Sequence, residues 1–252
     1  MEPAEIALVA AAGLIAGVIN AIAGGGSLIT FPVLVASGLP SVVASMTNTI
    51  ALCPGYFGAA LAQRRDLVGQ GPRALRLLPL SIAGSLAGSY ILLRTSDRSF
   101  VTIVPFLLVF AALLLAVQPR LRRALASETR PKHSVAFAIV SVGIGAIYGA
   151  YFGAGLGVIL LAVLAVVIDD TLVRANALKQ LLSLTINVCA AIVFIVVGEI
   201  AWDVVAIVAS TSLIGGGIGG KLASRIPEAL LRWSAIAVAL VIATIYFVRA
   251  YL

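Results

Sequence analysis

Nearly all of this chain is divided into apolar runs of membrane-spanning length, and that division decides what it can fold into. The runs cover residues 4–23, 42–62, 77–93, 99–117, 134–152, 171–197, 204–222 and 230–248, separated by short charged junctions. A helix of about 20 apolar residues crosses the hydrocarbon layer of a bilayer, so the sequence predicts eight full-length spans. Only 11% of residues are charged and 62% are hydrophobic, against roughly 25% and 45–50% in soluble domains. No stretch is left for a soluble catalytic domain. The expected fold is an all-α polytopic membrane protein embedded in the lipid bilayer. Glu2 and Glu5 stand where a signal peptide needs basic residues, so the first run is expected to remain as a membrane helix.

Two further apolar pieces, 27–37 and 156–168, are too short for an ordinary crossing at 1.5 Å per residue. Each follows a glycine cluster, Gly24-Gly25-Gly26-Ser27 in the first half and Gly153-Ala154-Gly155-Leu156-Gly157 in the second. They read as return limbs or broken half-helices. Sliding one half onto the other superposes Ala44 on Ala175, Ser45 on Asn176, Asn48 on Lys179 and Thr49 on Gln180. One position later, Gly84 and Gly88 meet Gly216 and Gly220. The chain is therefore read as an internal duplication, with an N-terminal repeat at 1–118, a basic linker at 119–133 and a C-terminal repeat at 134–252.

Loop charge orients the two repeats. Arg64, Arg65, Arg73 and Arg76 follow the 42–62 run, whereas its repeat equivalent is followed by Glu199 and Asp203 with no basic residue. The positive-inside rule puts the first junction in the cytoplasm and the second outside. The linker with Arg120, Arg122, Arg123, Arg130 and Lys132, and the junction from Lys221 to Arg232, come out cytoplasmic as well. These assignments agree only if the short limbs return toward their starting side. The repeats are then inverted, each with about four transmembrane helices and one glycine-broken re-entrant segment. Arg94 and Arg98 fall on the expected outside against the rule. Because the net charge of +7 sits at junctions, it reads as topology and not as a nucleic-acid surface. Inverted repeats with broken helices are the usual architecture of secondary transporters, with substrate near the midplane.

Candidate binding residues come from two polar stripes. Asn176, Lys179, Gln180, Ser183 and Asn187 fall within an arc of about 100° on one helix face. A lysine near the bilayer centre costs roughly 2.5–3.5 kcal/mol on insertion scales, so it persists where it lines a cavity or meets a partner. The other reading of Lys179 is that it reaches along its own stem to the cytoplasmic interface. Arg174, nearer the same end, is expected to do so, and Asp169 and Asp170 read as helix-start residues. The repeat-equivalent stripe carries Ser45, Thr47, Asn48, Thr49 and Tyr56, with Pro54-Gly55 interrupting the helix. The two stripes are expected to face each other.

The first glycine cluster lets the backbone leave helical geometry, after which Ser27 is placed to cap a new half-helix. The free N–H groups and positive dipole end of that half-helix suit an anion. Gly215-Gly216-Gly217 with Gly219-Gly220 reads instead as close helix packing. The candidate anion site is therefore Gly24, Gly25, Gly26, Ser27, Thr47, Asn48, Thr49, Gly155, Gly157, Asn176, Lys179 and Gln180. Cys53 and Cys189 lie in apolar runs with no CxxC partner, and His133, the only histidine, sits in the linker. No nucleophile has a base beside it. The sequence thus offers no metal site, cofactor or catalytic group, and leaves room for a homodimer.

The string Ala23-Gly24-Gly25-Gly26-Ser27 with Pro32, Gly38-Leu39-Pro40, Ala44 and Thr47-Asn48 resembles the first-repeat signature of the TauE/SafE family. Gly198-Glu199-Ile200-Ala201-Trp202 and the stretch 216–225, followed by Pro227 and Leu231-Arg232, resemble its second-repeat ending. The resemblance implies transport of small anions, chiefly sulfite and organosulfonates such as sulfoacetate, across the bacterial cytoplasmic membrane. Two departures are visible: the second glycine cluster is thinned, and Lys179-Gln180 replaces a small hydroxyl pair. The expected function is potential-driven export of a small organic or sulfur-containing anion. Uptake of a carboxylate or inorganic anion, and a non-transporting scaffold or assembly factor, are the alternatives.

Overall fold

The computed structural model describes residues 1–22, 24–125, 135–167, 170–222 and 228–251. Over these the chain is helical: α1 (Pro3–Ile22), α2 (Ser27–Ala36), α3 (Ser41–Ala62), α4 (Gly71–Arg94), α5 (Asp97–Leu125), α6 (Val135–Tyr151), α7 (Leu156–Val167), α8 (Leu172–Val197), α9 (Trp202–Leu222) and α10 (Glu228–Tyr251). A 3-10 turn, Arg64–Leu67, joins α3 to α4. Helices follow the apolar runs closely, and the two short pieces form the short helices α2 and α7. Among the described residues, α1, α4, α5, α8 and α9 are long and apolar enough to cross a membrane. Helix α3 has the length, but Asn48 and its neighbouring hydroxyls lower its hydropathy.

Helix α5 differs from expectation by continuing through Arg120 to Leu125, well past the apolar run. Arginine is a good helix former, so the helix need not stop where the apolar run does. The rest of the basic linker, with Arg130, Lys132 and His133, lies outside the described residues.

Burial differs from that of a soluble protein, because large apolar side chains cover the outside as well as the core and polar ones are buried among the helices. Phe57, Phe106, Leu113, Ile144, Ile192, Val196 and Val241 point outward, while Asn20, Thr30, Asn48, Lys179, Gln180 and Ser183 are buried. Lipid supplies no hydrogen bonds, so polar side chains gather where helices meet.

Glycines set how the helices meet. A Cβ built on Gly17 would lie 2.3 Å from Ser212 O, and one on Gly215 would lie 2.1 Å from Leu14 O, so α1 packs on α9 backbone to backbone. On the other side of α9, a Cβ on Gly216 would lie 2.1 Å from Gly55 O, and Ser212 Oγ donates to Ala51 O at 3.0 Å. Gly84 and Gly88 of α4 approach Gly143 O and Ile147 O of α6 in the same way. Contacts advance together along each of these pairs, so α1, α3 and α9 run parallel. Helix α4 is parallel to α6, and also to α8 through Gln70 to Arg174 and Ser85 to Ile186. Helices α3 and α8 run opposite ways, since Gln63 meets Asn176 while Met46 meets Gly198. The packing repeats between halves: α1 sits on α9 as α6 sits on α4, and α2 on α10 as α7 on α5.

Gly217 has open space where its neighbour has none. Gly216→Ala forces α3 and α9 apart, and overpacking of this kind costs about 1–3 kcal/mol. Gly217→Ala meets nothing and gains up to about 1 kcal/mol of helix propensity. Thermal unfolding in detergent should show the first variant melting several degrees lower and the second no lower than the parent. The reverse order would refute the packing account.

Candidate substrate-binding site

The site grows from a helix that stops inside the bundle. Helix α1 ends at Ile22, Gly24 takes a φ of +87°, and α2 starts at Ser27. Ending there strips the last carbonyls of α1 of their intrahelical donors, and within a membrane protein they must find others. Helix α8 supplies them. Lys179 Nζ donates to Asn20 O at 3.3 Å, and Gln180 Nε2 donates to Asn20 O at 3.1 Å and Ala21 O at 2.8 Å. Asn176 Nδ2 donates to Ala21 O at 3.3 Å and to Gln63 Oε1 at 2.8 Å. Lys179 is fully buried, so it turns inward to the negative end of α1 and does not reach for the interface. A cation at a helix C-terminus is favoured by the helix dipole.

Polar contacts continue across the break. Asn20 Oδ1 accepts from Gly26 N at 2.7 Å, so the start of α2 is held by a side chain of α1. Thr30 Oγ1 donates to Asn48 Oδ1 and also lies 3.5 Å from Gly26 O. Asn48, Thr30, Gly26, Asn20 and the pair Lys179 and Gln180 thus form one buried chain. Ser27 is the first residue of α2 and not its cap, because Gly26 occupies the cap position without a side-chain cap bond.

The second break is built alike. Helix α6 ends at Tyr151, Gly153 and Gly155 take φ of +79° and +81°, and α7 begins at Leu156. Ser45 Oγ donates to Tyr151 O at 3.4 Å, as Asn176 donates to a carbonyl at the end of α1. The breaks touch: a Cβ on Gly157 would lie 2.6 Å from Gly24 Cα, and one on Gly153 would lie 3.7 Å from Ser27 Oγ. Any side chain at Gly24 is excluded both by its φ and by this approach.

Other expected site residues point elsewhere. Thr47 Oγ1 accepts from Ala201 N at 3.3 Å, and Thr49 Oγ1 donates to Ser45 O of its own helix. Gly25 backs onto Leu115, and Gly155 onto Ala111. The two stripes do not pair residue to residue, since Asn48 meets Thr30 of its own half. Asn20, Thr30 and Gln63 join the site without having been singled out in the sequence. Asn20 carried a usable signal, as the lone amide of an apolar run just before a glycine cluster.

Both ends of this polar chain are closed. At one end Phe31, Phe100 and Phe152 are buried together, with Phe31 5.3 Å from Phe152 and 6.2 Å from Phe100 between ring centres. At the other, Asp170 accepts from Arg73 of α4 and from Arg174 at 2.9 Å. Arg174 also donates to Val68 O at 3.0 Å, and its own carbonyl accepts from Gln70 at 2.9 Å. Arg174 is thus tied into this latch and does not trail free at the interface. Asp169 lies outside the described residues. Partly exposed ion pairs of this kind contribute about 0.2–1 kcal/mol each.

A family model described as Sulfite exporter TauE/SafE matches residues 9–246. The "Probable membrane transporter protein YfcA" of Escherichia coli (strain K12) is 27% identical over 214 residues, covering 84% of this chain and 77% of that protein. A "Probable membrane transporter protein" of Haemophilus influenzae is 27% identical over 227 residues, covering 90% and 88%. "Probable membrane transporter protein ORF9" of Sinorhizobium sp is 28% identical over 222 residues, covering 86% and 83%. The chain belongs to the TauE/SafE family, a family of membrane transporters and not of enzymes, and is a multi-pass protein of the bacterial inner membrane.

The latch carries a pH signature. Burial raises the Asp170 carboxyl, but hydrogen bonds from Arg73, Arg174 and Thr171 N, with the Arg174 charge, outweigh it and hold it down at about 2. A carboxylate depressed in the folded state stabilises above its unfolded value of about 3.9 and loses that contribution as pH falls toward the folded value. Wild type should therefore melt above Asp170→Asn from neutral pH down to about 4, with the gap closing between about 4 and 2. A gap that stays constant across that range would show that the carboxylate charge is irrelevant to the latch.

Proposed function

From that membership we propose a specific role: an inverted-repeat carrier that exports a small organic or sulfur-containing anion such as sulfite, sulfoacetate or a related sulfonate. Lys179 is its charge partner, beside the meeting of the two glycine breaks. The observation that carries this reading is the side-chain nitrogen of Lys179, fully buried against the C-terminal carbonyls of a broken helix. A basic side chain is expensive to bury in a membrane and persists where it serves a cavity or a partner, and a visiting anion would be such a partner. An anion there gains a charge-assisted contact in a low-dielectric setting.

Helix direction supports the inverted arrangement. Helices α3 and α8 are counterparts and antiparallel; α1 shares the direction of α3, and α6 that of α8. The N-terminus then lies outside and the arginine-rich Arg64–Leu67 turn inside, as the loop charges require. The Asp170 latch is then the cytoplasmic gate and the phenylalanine cluster the outer one. Alternating access follows if the two open in turn. An interior-negative potential drives a monovalent anion outward by about 2.3 kcal/mol per 100 mV, so export needs no coupled ion.

Lys179→Ala should weaken binding of sulfite or sulfoacetate by about 10- to 150-fold, corresponding to roughly 1.5–3 kcal/mol for a charged hydrogen bond. Asn48→Ala, one half away, should do less. In proteoliposomes loaded with either anion, an interior-negative potential should accelerate wild-type efflux with no pH or sodium gradient, and Lys179→Ala should abolish the effect. Movement that occurs only with an inward proton or sodium gradient would instead establish coupled uptake. A purified protein whose melting is unmoved by any of these anions would favour the scaffold.

A further inference from the structure

Backbone carbonyls accept hydrogen bonds and never donate them, and this fixes which end of each site amide faces the break. Gln180 touches Asn20 O and Ala21 O, so the atom making both contacts is its nitrogen. Asn176 touches Ala21 O, so its nitrogen faces that way too, and the Gln63 atom that receives its second N–H is an oxygen. The remaining ends are thereby determined. Gln180 Oε1 and Asn176 Oδ1 are buried acceptors with no hydrogen-bond partner, Gln63 Nε2 is a buried donor without one, and Ser183 Oγ is likewise unsatisfied. Asn176, Gln180 and Ser183 sit at i, i+4 and i+7 of α8, on one face. Buried polar atoms are almost always satisfied, and a cluster of exceptions calls for a missing partner.

We infer that the site selects anions carrying their own hydrogen-bond donor, a hydroxyl or ammonium group, over anions of the same charge and size that carry only acceptors. The inference rests on the anion reading of Lys179 and adds the rest of the ligand to it. The acidic group answers Lys179 and Gln63 Nε2. A second group on the same ligand must then give protons to Gln180 Oε1 and Asn176 Oδ1. An acceptor-only anion turns lone pairs toward those oxygens and leaves them unpaired. Sites built around buried polar atoms reject analogues that lack the matching group far more strongly than apolar pockets reject a change of size.

The test uses the purified full chain and two matched pairs: ethanesulfonate against 2-hydroxyethanesulfonate, and propanoate against 3-hydroxypropanoate. Calorimetric titration should find each hydroxy anion bound about tenfold more tightly than its partner. In Gln180→Met the ratio should fall toward one, and because it is read within each pair, any loss common to both anions from uncapping Asn20 O and Ala21 O cancels. Ser183→Ala, a smaller change on the same face, should lower the ratio partially. Equal affinities within each pair for the wild type would overturn the inference and leave the anion reading standing, as would a ratio unchanged in both variants. Binding of none of the four compounds, nor of sulfite, would remove the anion reading and the inference with it.

Discussion

The structure depends on an unpaired helix end in a place without water. Stopping α1 at Ile22 leaves Asn20 O and Ala21 O without helical donors, and in a low-dielectric interior each unmade hydrogen bond of this kind costs about 1–3 kcal/mol. Three side chains of α8 answer them, one of which is charged. The break needs Gly24 with its left-handed backbone, and its close approach to Gly157 needs a second glycine. Those carbonyls therefore determine where Lys179 sits, which way the Gln180 and Asn176 amides turn, and how near the two breaks lie.

Packing fixes the helices around the site in close pairs. Helix α9 is gripped by α1 and α3 through glycines that bring backbones into contact, and α4 meets α6 in the same manner. These backbone contacts run the length of each helix pair, whereas the contacts at the two ends of the polar chain are local. One is a set of phenylalanine rings, and the other is Asp170 held by two arginines. The two differ in chemistry, one aromatic and one ionic.

Much of the architecture was legible in the sequence because hydropathy reads directly onto membrane helices. The two short apolar pieces became α2 and α7, and the glycine clusters became breaks, because no other residue offers the backbone freedom used at Gly24, Gly153 and Gly155. Periodicity placed Asn176, Lys179 and Gln180 on one face, which is how they meet α1. It did not tell what that face meets. Thr47 and Thr49 share the α3 stripe yet are taken up by Ala201 N and by their own helix, since a hydroxyl satisfied locally leaves no trace in spacing. Asn20 stands out in the sequence only as a lone amide before a glycine cluster, because half of its role lies in its main chain, which sequence does not distinguish. The extension of α5 to Leu125 escaped a reading based on hydropathy, because helix formation does not stop where apolarity does.

A direct view of a bound anion bears most closely on the role given to Lys179. Selenite resembles sulfite in shape and charge, and its selenium scatters X-rays anomalously, so its position in a crystal of the protein can be located without ambiguity of identity. The account predicts a selenium peak within hydrogen-bonding reach of Lys179 Nζ, beside the contact of Gly24 with Gly157, and its loss in Lys179→Ala. A peak away from Lys179 that survives the substitution would contradict it.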